Sequence, residues 1–159
     1  MKLTGVELRR ISMPLVAPFR TSFGVETTRD ILLLRAVLDG PGLDGSGLNG
    51  RAEGWGECVA MSDPLYSSEY VDASVDVLKR FLLPRLFAAG HVDGAAVGPL
   101  LEPVKGHWMS KAVIETAVLD AELRATGRSF ARELGATRDR VPYIFRSAGS
   151  DQPGVRSTG

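Results

Sequence analysis

The sequence predicts an α+β fold, a three-stranded antiparallel meander followed by a helical bundle, on three observations. Apolar residues within the first 60 positions either alternate with polar ones or form one short unbroken run, which are the two signatures of strands. After Pro64 the apolar spacing lengthens to that of a helix. The links between the first apolar segments are short, which favours hairpins over parallel crossovers.

Val6 and Leu8 alternate with charged neighbours, and Ile11 and Met13 continue on the opposite phase, so a bulge or a change of buried face is expected near Arg9 and Arg10. Residues 15–26, LVAPFRTSFGVE, carry Pro18, Gly24 and several hydroxyls and read as a loop, although Phe19 and Phe23 are unusual cargo for a solvated one. Residues 30–38 form the nearly continuous apolar run of a strand buried on both faces. Residues 53–60, EGWGECVA, are a third strand weakened by Gly54 and Gly56. Val71, Val75, Leu78, Leu82 and Leu86 then fall on one helical stripe, with Glu69 expected in the first turn and Pro84 expected to kink or end the helix. Residues 92–104 make a weaker helix, interrupted by Gly94, Gly98 and Pro99. Residues 110–126 form the strongest one, with Ile114, Ala117, Val118, Ala121 and Ala125 on one face, a Lys111–Glu115 pair, and Gly127 just beyond the end. A short helix over 129–134, closed by Gly135, completes the set. Residues 143–159 fit no element and read as a disordered tail.

Length and charge narrow the function classes. The chain has 159 residues, enough for one domain, and 19 basic against 19 acidic side chains, so no global field draws it to nucleic acid or to a membrane. Its longest aliphatic stretch, Ile31 to Leu34, ends at Arg35, and no signal peptide precedes the first strand. One cysteine, Cys58, excludes an internal disulfide and reads as a buried inert thiol. A soluble cytoplasmic protein is therefore expected.

Few motifs carry chemistry. Gly40 to Gly45 and Gly45 to Gly50 each match G-x-G-x-x-G, but a strand-like segment follows where a dinucleotide loop needs a helix, so they read as a small duplication in a hairpin. His91 and His107 are far apart and lack a carboxylate at ligand spacing, so each reads as a surface or cap residue and no metal site is expected. No Ser stands in a nucleophile elbow, the four lysines are dispersed, and Asp120 and Glu122 point to different helix faces. No catalytic residue can be assigned. Trp55 and Trp108 read as core or interface anchors. Phe19 and Phe23 either plug into the core or face a ligand, and the residues alone favour the core.

Several segments in order, MPLVAPFRTSFG from Met13, GWGEC from Gly54 followed by Met61, PLYSSEY from Pro64, and AVLDAELRATGRSFARELG from Ala117, resemble the N-terminal domain of the enolase superfamily. Within it they resemble in particular o-succinylbenzoate synthases that also act as N-acylamino acid racemases. The resemblance covers residues 1–142 and implies a domain that caps a (β/α)8 barrel. It implies that the loop holding Pro18 to Gly24 closes over the barrel mouth, that Phe19 and Met61 pack against the apolar part of a small carboxylate substrate, and that Phe23 is a less certain member of the same site. That turns Phe19 from a core candidate into a ligand-facing one.

Two departures stand out. The Gly-rich hairpin at 39–52 is longer than the family's. After Pro142 the resemblance stops, leaving 17 residues (159 minus 142) where a barrel takes on the order of 200 or more. The family's catalytic lysines and its Mg²⁺ ligands belong to the barrel, and the family's enzymes are lyases and isomerases of the kind used in menaquinone biosynthesis. The barrel being absent, the expectation is a truncated or frameshifted fragment without activity of its own, prone to self-association through the surface a barrel would cover. A stand-alone, non-catalytic α+β binding module is the alternative.

Overall fold

The computed structural model describes residues 1–22, 24–40, 50–138 and 140. It shows a three-stranded antiparallel sheet in the order β1 (Lys2–Thr21), β2 (Gly24–Asp39), β3 (Arg51–Cys58). One face of the sheet is covered by helices α1 (Val71–Val77), α2 (Leu83–Ala88) and α4 (Trp108–Thr126), while α3 (Gly94–Leu101) packs on α2 and α4 and the short α5 (Phe130–Glu133) follows α4. The predicted α+β meander-then-helices order is the observed one.

Burial follows the pleat. Leu32, Leu34, Ala36 and Leu38 of β2 face the helices and are fully buried, as are Ala52 and Cys58 of β3. They meet Val71, Leu78, Leu82 and Leu86 from the first helical stripe and Val113, Ile114, Ala117, Val118 and Ala121 from α4. Cys58 is a free, buried thiol.

Gly54 and Gly56 have a different role from the weakening expected of them. A Cβ on Gly54 would stand 2.1 Å from the Ala117 carbonyl oxygen, and one on Gly56 would stand 2.1 Å from that of Val113. The two glycines let the α4 backbone lie directly on β3. Asp120 of α4 secures the contact by accepting the Trp55 backbone N–H at 2.9 Å.

The amino-terminal half differs in part from its sequence reading. The ladder runs without a break from Gly5↔Val37 to Pro14↔Thr28, so of the two alternatives at Arg9 and Arg10 there is no bulge. The expected change of buried face is there: Val6 and Leu8 pack on the core, whereas Ile11 and Met13 lie on the other side and are exposed. Residues 15–21 and 24–26 are in strands, not in the expected loop. Pairing slips between Pro14 and Phe19, resumes at Phe19↔Glu26, and carries the β1–β2 ribbon on to Thr21↔Gly24. Prolines at 14 and 18 are tolerated because β1 is an edge strand, where a missing N–H costs no ladder bond. Gly40 and Gly50 close the other hairpin through an N–H···O bond of 3.2 Å, and residues 41–49 between them lie outside the described residues.

Pro84 neither ends nor visibly breaks the first helical run. A π-helical turn, Leu78–Leu82, joins α1 to α2 and places Pro84 in the first turn of α2. Proline cannot donate to the carbonyl one turn back, and the wider turn takes up that mismatch. Asp93 caps α3, its carboxylate accepting the Ala96 N–H at 2.8 Å. Ser129 caps α5 in the same way through Arg132, and Gly127 ends α4 at a φ of 63°, the left-handed conformation that glycine adopts without cost. The Lys111–Glu115 pair does not form: the Lys111 ammonium bonds the Val104 carbonyl and lies 4.9 Å from the Trp108 ring centre. Among the described residues no helix is long and apolar enough to cross a membrane.

Candidate functional site at the ribbon end of the sheet

Beyond the helix layer the β1–β2 ribbon curls towards the segment that follows β3. Phe19 and Thr21 of β1, Arg29 of β2, Val59, Met61 and Tyr66 of that segment, and Met109 at the start of α4 line one concavity of about 500 Å³. The walls are mainly apolar, and Phe19 leaves 55% of its surface open. An exposed aromatic on a braced backbone contacts a ligand without first having to leave a core.

Each wall is fixed by a specific contact. Met61 pairs with Tyr70 in an isolated bridge, its carbonyl accepting the Val71 N–H at 2.9 Å. Glu69, which stands ahead of α1 rather than inside its first turn, reaches across to α4. Its carboxylate accepts the Met109 and Ser110 N–H groups at 3.1 Å each and the Ser110 hydroxyl at 3.2 Å. That satisfies the first amides of α4 from a neighbouring segment, where His107, at a φ of 55°, offers no capping side chain. Arg29 donates from Nη2 to the Val59 carbonyl at 3.2 Å and ties the ribbon to the segment opposite.

Arg10 anchors the base of the ribbon. It grips Asp30 through Nε and Nη2, at 2.9 and 2.5 Å to Oδ2, and reaches Asp72 of α1 at 2.5 Å. The Arg10 guanidinium holds the Asp30 carboxyl below its ordinary value, outweighing a small opposing desolvation. The two carboxylates raise the pKa of Arg10 in turn.

The structure thus brings Phe19 and Met61 together. Phe23 lies outside the described residues, as does everything from 141 to 159. Sequence reasoning missed Arg29, Tyr66 and Met109; Tyr66 falls within the PLYSSEY segment, which was the available signal. Neither tryptophan is in the core. Trp55 lies on the outer face of the sheet between Arg9 and Arg35, whose guanidinium carbons are 5.4 and 6.0 Å from its ring centre, and Trp108 is 73% exposed. His91 sits at the surface between the Met1 amino group and Asp93.

Among the described residues no lysine, histidine or carboxylate lines this concavity. Among the described residues no group of three or more His, Cys, Asp or Glu side chains is placed to hold a metal ion, so these residues do not fit Mg²⁺. The arrangement can select and shield a ligand; no general base stands beside it.

No protein-family model matches the chain. It is 58% identical over 142 residues to an N-succinylamino acid racemase of an Amycolatopsis species, covering 89% of this chain and 36% of the relative. It is 33% identical to the o-succinylbenzoate synthase of Bacillus subtilis, again over 89% of the chain and 36% of the relative. A crystal structure of an enolase-superfamily member from Listeria innocua superposes on 87% of the chain and 34% of its own with a TM-score of 0.75, at 29% identity. The fold is that of an enolase-superfamily N-terminal domain. The chain spans about a third of the length of the curated relatives it matches. In this enolase-type domain the concavity is lined mainly by the ribbon and the segment after β3, which contain residues of the PFRTSFG and PLYSSEY segments.

Proposed function

We propose that this chain is the substrate-selecting cap of an o-succinylbenzoate synthase/N-acylamino acid racemase-like enzyme, and that it performs no turnover by itself. The observation that carries the reading is the concavity: Phe19 and Met61 share an apolar wall that contains no base and no metal ligand. The chemistry such an enzyme performs, abstraction of a proton next to a carboxylate, needs a base within about 3 Å of that proton and a cation to offset the charge that develops. In the reading proposed a Mg²⁺ ion would supply that offset, and no group of the described residues would hold it. The chain's own part is to bind the apolar arm of a small carboxylate substrate and to keep water from the reacting centre.

The test is an assay of the purified chain with N-acylmethionine and with the o-succinylbenzoate precursor at millimolar Mg²⁺. No turnover above the blank is expected. Turnover that survives repurification and disappears with EDTA overturns the reading, because it demands a catalytic group within residues 1–159. The reading also predicts that the uncovered surface promotes oligomers, and a sharp monomer peak on gel filtration would favour a stand-alone binding module instead.

A further inference from the structure

Among the described residues the concavity has a single charged side chain, Arg29, within otherwise neutral and largely apolar walls. Its guanidinium has five N–H groups in a fixed fork. One of them, on Nη2, is taken by the Val59 carbonyl. No carboxylate pairs with Arg29 among the described residues, which it shares with the exposed Arg20 and Arg85; its place in the wall of the concavity is what sets it apart. Arg29 is half-buried and is held in register on β2 opposite Met13. A positioned cation beside apolar surface, with donors in excess of its protein partners, matches a ligand whose apolar body ends in an anion.

We propose that Arg29 is a specificity-determining residue of this concavity, reading a terminal carboxylate on the acyl arm of the substrate. This rests on the reading of the concavity as a substrate wall. A substrate that reacts next to one carboxylate needs that carboxylate beside a base, and no such base lines the concavity among the described residues. The group left for Arg29 is a second carboxylate at the far end of the arm, as in a succinyl group. Phe19 and Met61 then contact the apolar part between the two. The ion pair forms beside apolar side chains rather than in open water, which strengthens it, while the partial exposure of the site keeps its contribution moderate.

The experiment is an NMR titration of the whole chain carrying ¹³C-methyl methionine, following the Met61 and Met109 signals at pH 7. The probes are N-succinyl-L-methionine and its terminal amide, N-succinamyl-L-methionine, which has the same shape without the distal charge. The wild type is expected to bind the dicarboxylate about threefold to fivefold more tightly, the range of a partly exposed ion pair, with the preference shrinking as salt is added. Arg29→Gln keeps a donor for Val59 but removes the charge, and should bind both probes equally. Arg29→Lys should retain most of the preference. Equal binding of both probes by the wild type, or a preference that survives in Arg29→Gln, overturns the role of Arg29 and leaves the substrate wall standing. If neither probe moves the two methionine signals, the substrate-wall reading fails, and the inference with it.

Discussion

At one end of the sheet α4 lies on β3 with nothing between the two backbones but the hydrogens of Gly54 and Gly56. At the other end β1 and β2 run beyond the helices as a bare ribbon with a slipped register and an open aromatic side chain. The first region has no room for a methyl group, and the second leaves Phe19 and Val25 largely uncovered. Stability is concentrated where the layers touch, and selectivity becomes affordable where they do not. Side chains of the ribbon can therefore change with little consequence for the core, whereas the β3–α4 contact constrains nearly every atom near it.

The sharpest way to break this comparison is Gly54→Ala. The added methyl would stand 2.1 Å from the Ala117 oxygen and 2.2 Å from the Ala121 nitrogen, both backbone atoms that move only if α4 moves. Overpacking of this kind costs about 3 kcal/mol, and more when a whole helix must shift. Urea denaturation should show that loss or failure to fold. A change below about 0.5 kcal/mol, the range of an ordinary surface substitution, would show that the layers are not in contact as described.

Glu69 stands between the two regions, because its carboxylate starts α4 and thereby sets Met109 in the wall of the concavity. Glu69→Ala leaves the Met109 and Ser110 amides and the buried Ser110 hydroxyl without this partner. Hydrogen bonds to a charged group are worth about 2 kcal/mol, so a loss of that size is expected in the same denaturation measurement. Amide exchange should speed up in the first turn of α4 and stay unchanged in β1 at Glu7 and Leu8. Uniform acceleration throughout the chain would mean that Glu69 serves global stability and not this helix end.

Acid titration tests the carboxylate contacts at the ribbon base and at the start of α3. Asp30, bonded by Arg10, and Asp93, bonded by His91 and the Ala96 amide, both have carboxyl pKa values lowered from 3.8 in the folded chain. The unfolded chain therefore binds those protons more tightly. The stabilisation is fully present above the ordinary carboxylate value and is lost as pH falls through the lowered folded values. The urea midpoint should be flat above about pH 5 and fall below pH 4. Arg10→Gln removes the cause at Asp30, and its profile should fall less steeply below pH 4. Identical profiles for the two proteins would show that the Arg10–Asp30 contact at the ribbon base has no thermodynamic weight.

How much of this was legible in the sequence follows the same division. The helix stripe from Val71 to Leu86 and the face of α4 are periodic, and periodicity survives folding because one face meets one core. The strand phase at Val6 and Leu8 was legible for the same reason. Residues 30–38, expected to be buried on both faces, bury Leu32, Leu34, Ala36 and Leu38 under the helices and leave Leu33 and Arg35 half-buried on the other face. Residues 15–26 were misread because a ribbon exposed on both faces has no apolar alternation to display, and its prolines and glycine resemble a loop. Gly54 and Gly56 were read through strand propensity, whereas the approach of α4 that requires them is a tertiary fact. Phe19 and Met61 came from motif resemblance. Arg29 had no local signal at all, since what distinguishes it is the company of Val59, Met61 and Tyr66 on another segment.

The smallest stability effect belongs to the residue with the largest proposed functional one. Phe19 pairs through its backbone with Glu26 and leaves most of its ring in solvent, so Phe19→Ala keeps the ladder and forfeits little burial. Its melting temperature should match wild type, within the ±0.5 kcal/mol usual for surface substitutions away from buried contacts. Joined through its C-terminal end to the remaining length of the Amycolatopsis relative, the same variant should lose kcat/KM for N-acylmethionine, because a ring that contacts the substrate's apolar arm contributes roughly 1–3 kcal/mol of discrimination. Met61→Ala should follow it in activity but not in stability, since Met61 is partly buried and braced by the bridge to Tyr70. Two outcomes would collapse the contrast between the regions. If Phe19→Ala melts many degrees early, the ribbon end is part of the core. If it melts normally and the joined enzyme keeps full activity, the ribbon is exposed without being a substrate wall.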